Sequence, residues 1–236
     1  MKDAKMRHHA LLRLAALAGT IGPVWLGGTI LVLTVVQYDF MRNLRWHPLY
    51  APQIDWPSGL ALGPYGLFMT GAFVFSGLCL FVFALGMRRF LGKGRNSTIS
   101  VGLLCGASLG LLLLAFPTDP TFRSTPATWS GHIHDGAFAL LGICLLPAFL
   151  VLASQFRHLA AWRGAAYGAV VVALTLVPAF IFKGVFFYIF LAAALGWIIW
   201  AAQTLGRDSA SGRTRGSSSN NTISAGAPST NPDKPK

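Results

Sequence analysis

Six long apolar runs, at about residues 14–36, 64–87, 99–116, 133–154, 164–182 and 185–204, constrain this chain more than anything else in it. A helix that crosses a bilayer needs roughly 20 mostly apolar residues. Each run is close to that length. The stretch 164–204 is too long for one crossing, and Lys183-Gly184 divides it into two antiparallel neighbours joined by a hairpin. Hydrocarbon offers no hydrogen-bond partner, so a spanning segment satisfies its own backbone by coiling into a helix. The expected fold is all-α, a polytopic membrane protein with a six-transmembrane-helix bundle at 14–205. A basic N-terminus (1–13) precedes it. The tail (206–236) is rich in Ser, Gly, Asn, Thr and Pro, and is expected to be disordered because it has little apolar surface to bury. Ala16-Leu17-Ala18 resembles a signal-peptide cleavage site, but the apolar stretch before it is short and Arg13 interrupts it, so the first run is expected to stay as a helix.

Charge sets the orientation. Only 11% of residues are charged while 54% are hydrophobic, against roughly 25% charged in a soluble domain. The net charge of +12 does not indicate nucleic acid, because the basic residues flank apolar runs and form no stripe interleaved with aromatics. One side of the bundle receives Lys2, Lys5, Arg7 and Arg13, then Arg88, Arg89, Lys93 and Arg95, then Arg157 and Arg163, then the basic residues of the tail. The other side receives only Arg42, Arg45, Arg123 and Lys183. Basic loops stay in the cytoplasm, so both termini are expected there, in the inner (cytoplasmic) membrane of a cell. Membrane lipids are the expected partners. Cys79, Cys105 and Cys144 lie far apart inside apolar runs and read as small buried hydrophobes.

The unusual residues collect on the outer side. Phe116-Pro117-Thr118-Asp119-Pro120 ends the third run, and Ser130-Gly131-His132-Ile133-His134-Asp135-Gly136 opens the fourth. Pro117 keeps Phe116 out of helical geometry, so the third helix ends there and Asp119 sits in a turn. Ser130 is a plausible N-cap for the fourth helix. If that helix has begun by His132, then His132 and Asp135 share a face and His134 points about 200° away. The first outer connection, about 37–63, is long for a helix connection and carries His47, Asp55 and Trp56; the last hairpin adds Lys183. Trp56 fits an interfacial belt and Lys183 fits a side chain snorkelling to headgroups.

Three chemistries suit Asp119, His132, His134 and Asp135. Asp119, His132 and His134 with a further carboxylate could hold zinc, but the run lacks the spacing of H-x-H-x-D-H or H-E-x-x-H. A His–Asp pair could do acid–base work on a lipid headgroup, although no Gly-x-Ser-x-Gly is present. Asp119 could instead close the bundle, capping the fourth helix where its dipole favours a negative charge.

These same segments carry a resemblance. Asp55-Trp56-Pro57-Ser58-Gly59 leading into the second run, Phe116-Pro117-Thr118-Asp119, and Gly131-His132-Ile133-His134-Asp135 come in that order. With them the chain resembles, over roughly 10–205, the bacterial and archaeal six-span membrane proteins of domain of unknown function number 998. Those look related to the eukaryotic damage-regulated autophagy modulators and FGF-receptor-activating proteins. The resemblance implies a six-helix bundle and carries over Asp119 and His134; it implies no activity. A more distant likeness is to seven-span ceramidase-like metal hydrolases, from which the chain departs by lacking one helix and a late H-x-x-x-H. The expected function is an integral membrane protein whose Asp/His cluster is structural or binds a lipid or other ligand. The alternatives are a membrane hydrolase, metal-dependent in one form, acting on a lipid at the outer face, and a small transporter. No span interior carries a charge, which weighs against the transporter.

Overall fold

The structure is a computed structural model that describes residues 2–44, 57–120, 126–182 and 184–210. Among these residues there is no strand, and six helices are long and apolar enough to cross a membrane. In chain order the elements are α1 (Lys2–Val36), α2 (Tyr38–Asn43), a 3-10 helix (Pro57–Leu62), α3 (Gly66–Leu91), α4 (Arg95–Leu113), α5 (Trp129–Phe156), a 3-10 turn (Ala160–Trp162), α6 (Arg163–Phe182) and α7 (Gly184–Ala210). Pro23, Pro147 and Pro178 lie inside α1, α5 and α6. Each removes a backbone donor and disfavours the straight helix, which membrane helices tolerate because neighbours satisfy the freed groups.

The exposure pattern is that of a protein dissolved in lipid. Val35, Leu67 and Ile143 are at least 70% exposed, while Ser76, Ser100 and Ser108 are buried. In water each such exposed side chain would forgo roughly 1.5–3 kcal/mol of burial. Against hydrocarbon it forgoes nothing, and helices then associate through close packing and interhelical hydrogen bonds. Both devices are present. The Ser76 hydroxyl donates to the Gly22 carbonyl at 2.9 Å, joining α3 to α1, and the Ser108 hydroxyl donates to the Gly77 carbonyl at 2.8 Å, joining α4 to α3. A Cβ at Gly22 would stand 2.6 Å from the Cys79 Cβ, and one at Gly110 would stand 2.8 Å from the Leu141 backbone nitrogen. Gly19 and Gly77 are packed as closely, whereas Gly28 and Gly71 face open space.

The principal packing partners are α1 with α3, α3 with α4, α4 with α5, α5 with α6, α6 with α7, and α7 back to α1. The six spans thus close a ring in chain order. One half of its core clusters around Phe83, Phe149, Phe156, Trp162 and Trp197 at the basic end. The other half gathers Leu26, Met41, Leu60, Met69 and Phe73 at the opposite end.

α1, α5 and α7 overrun the expected spans, whereas α4 stops at Leu113, short of the expected 116. α7 continues to Ala210, beyond residue 206 where the tail was expected to open. The Trp162 indole donates to Asp208 Oδ2 at 2.7 Å, and His9 Nδ1 lies 3.1 Å from the Ser209 carbonyl, so the last turn is tied to two neighbours. α5 starts at Trp129, a turn before the expected 133. Gly184, with φ of 49°, turns the chain between α6 and α7 in a conformation that favours glycine.

Candidate functional site

At the end of the bundle opposite the basic loops, α4 runs out at Leu113 and α5 starts at Trp129. The chain between them returns through Asp119. The residue that caps α5 is Thr128, not the expected Ser130: the Thr128 hydroxyl accepts from the Gly131 N–H at 3.1 Å. Thr128 in turn is held by Asp119. Its N–H donates to Asp119 Oδ2 and its hydroxyl to Oδ1, both at 2.9 Å. That spends the single hydroxyl proton, so in the 3.0 Å contact between Thr128 and Ser130 it is Ser130 that donates. Ser130 is thus inside the helix supporting the cap.

A Cβ at Gly131 would run into the Asp119 carboxylate. Glycine there lets the anion approach the open N–H groups of the helix start, where the dipole favours it. Asp119, Thr128 and Gly131 form one arrangement, and only Asp119 stood out in the sequence. A threonine three residues before a glycine was the available signal for the other two.

His134 is buried, at 3% exposure, and its Nδ1 lies 2.9 Å from the Phe116 carbonyl at the end of α4. The carbonyl can only accept, so Nδ1 carries the proton. The imidazole also meets the Phe73 ring edge-on, with centroids 6.4 Å apart. His132 and Asp135 are exposed, on the other side of α5. Among the described residues no three His, Cys, Asp or Glu stand together as a metal ligand set. His47, Asp55, Trp56 and Lys183 lie outside the described residues.

A second polar tie at this end went unread in the sequence. Gln37, 2% exposed, donates through Nε2 to the Leu60 carbonyl and accepts at Oε1 from the Tyr65 N–H, both at 3.0 Å. It pins the 3-10 helix Pro57–Leu62 to the end of α1. A Cβ at Gly63 would collide with this side chain.

Beneath these ties lies an apolar cavity of about 120 Å³. Every span contributes to its wall, through Ile30, Phe73, Leu111, Leu145, Leu176 and Leu195 in turn, and the 3-10 helix reaches it with Pro57 and Ser58. Ile30 and Phe73 are buried, whereas Leu145, Leu176 and Leu195 are partly exposed. Such a space, lined by Leu, Ile and Phe, stays dry and accepts apolar guests.

No match is found among the curated proteins or the solved structures. The family model described as "Protein of unknown function (DUF998)" matches residues 26–204, from within α1 to near the end of α7. That stretch takes in the Gln37 tie, the Asp119–Thr128–Gly131 cap, His134 and the cavity. With three quarters of its length matched, this six-span membrane protein belongs to the DUF998 family.

Proposed function

We propose that this protein binds lipid, taking a segment of an acyl chain into the cavity enclosed by its ring of helices. The cavity carries the reading: all six spans contribute apolar side chains to it and, among the described residues, no charged side chain lines it. Its volume of about 120 Å³ is near the roughly 150 Å³ of a cavity that takes up benzene. It therefore suits part of a chain and not a whole lipid. The partly exposed wall residues on α5, α6 and α7 give the side from which a lipid tail enters. Asp119 and Gln37 then have a structural role. They hold the end of the bundle closed over the cavity, and no acid–base step is assigned to Asp119 or His134. The Lys and Arg asymmetry supports a cytoplasmic position for the opposite, basic end.

Native mass spectrometry of the purified protein tests this. The wild type should retain acyl lipid through detergent exchange. Leu145→Trp or Leu176→Trp, which fills the cavity, should lose it, while Leu31→Trp on the lipid-facing surface should keep it. Equal retention by all four proteins, or none by the wild type, would overturn the reading.

A further inference from the structure

At the basic end, the turn between α3 and α4 and the chain just past α5 face each other across a cleft of about 790 Å³. Lys93 and Arg95 line one wall, Arg157 and His158 the other, and among the described residues no carboxylate lines either. We propose that this cleft binds a phosphate group.

The cleft is built and not merely a loose collection of charges. Gly92, with φ of 73°, makes the turn. Arg88 Nη1 donates to the Gly92 carbonyl and to the Ser97 hydroxyl, each at 3.0 Å, and the Ser97 hydroxyl donates to the same carbonyl at 2.8 Å. Arg88 and Ser97 therefore clamp the turn that presents Lys93 and Arg95. The opposite wall is tied to it by Gln155, whose Nε2 donates to the Ser100 hydroxyl at 3.3 Å. Arg157 Nε donates to His158 Nε2 at 3.1 Å, which leaves the proton of His158 on Nδ1 as a further donor.

The N-terminus of α4 opens into the same space. Its N-cap, Gly94, offers no side chain to the first N–H groups, and Arg95 and Asn96 of the first turn line the cleft. Ammonium, guanidinium, imidazole and free amide N–H groups on two sides of one space match a compact group with several acceptor oxygens. A carboxylate has only two. The phosphate can come from a lipid headgroup or from a free phosphate, and both present the same oxygens.

Two arms separate these sources. Native mass spectrometry counts phosphatidylglycerol retained by the full chain from micelles that also contain phosphatidylcholine, and calorimetry titrates inorganic phosphate into the same protein. Lys93→Gln and Arg157→Gln, on opposite walls, should each weaken binding about fivefold, the effect of roughly one cation near a phosphate surface. Arg89→Gln and Arg163→Gln, at the same end but outside the cleft, should leave it unchanged. The effect with phosphatidylglycerol alone assigns a headgroup; the effect with inorganic phosphate as well assigns the free ion. Binding in neither arm, or equal loss in all four variants, overturns the proposal. The two walls are tested by separate variants, so a folding failure in one still leaves the other to decide.

Discussion

One residue, Thr128, gives both its backbone N–H and its hydroxyl proton to the carboxylate of Asp119, nine positions earlier in the chain. The anion thereby fixes the cap of α5 without itself being the cap. Asp119→Ala should cost about 0.5–2 kcal/mol, the range for losing the support of a helix cap. Asp119→Asn keeps an acceptor but loses the charge facing the helix dipole, and should cost about 1 kcal/mol. Asp135→Asn, on the exposed face of the same helix, should stay within about 0.5 kcal/mol of the wild type. Melting in detergent compares the three, and equal losses at positions 119 and 135 would contradict the capping role.

His134 needs only one donor in the right place to satisfy the Phe116 carbonyl. His134→Asn can supply an amide N–H near the position of Nδ1 and should retain most of the stability. His134→Leu leaves the carbonyl without that donor and should lose about 1–3 kcal/mol. If Asn melts no higher than Leu, the hydrogen bond to Phe116 does not hold the histidine.

Close packing is tested by two glycines. Gly110→Ala drives a Cβ against the α5 backbone at Leu141 and Ala137, and backbone cannot yield as a flexible side chain can. Overpacking of this kind costs about 1–3 kcal/mol. Gly71→Ala meets nothing within 4 Å and should stabilise its helix by up to about 1 kcal/mol. By contrast Ser108→Ala, which removes one interhelical hydrogen bond, should cost only about 0.6 kcal/mol. Thermal unfolding in one detergent ranks all three.

Orientation can be read with single cysteines in a variant stripped of Cys79, Cys105 and Cys144. An impermeant thiol reagent applied to intact cells should label Ala127→Cys, just before α5. It should spare Arg163→Cys, at the start of α6, until the membrane is opened. The reverse pattern would place the basic end outside.

The number of spans was legible because it rests on run length, which is a local property. What hydrogen bonds reach across the chain was not. Ser130 satisfies the local rule for an N-cap as well as Thr128 does, and the choice between them is made by Asp119, whose reach depends on how α4 ends. Gln37 carried no signal at all, since an amide at the end of an apolar run looks like any membrane-edge residue until Leu60 and Tyr65 come back to it. The inward turn of His134 followed from the helical period once α5 was known to begin before it. The cavity depends on all six helices together, and no segment of sequence contains it.

The ring runs in chain order, so synthesis and assembly follow the same course. Each new hairpin finds a neighbour already in the membrane. The one seam that cannot form early is between the first helix and the last, where Gly19 lies against Ala202 and Gly206 against Ala16. Until α7 arrives, the nascent protein is an open arc, its future interior bathed in lipid. If lipid fills the cavity as proposed, the open arc gives its tail a second way in, besides the partly exposed wall of α5, α6 and α7.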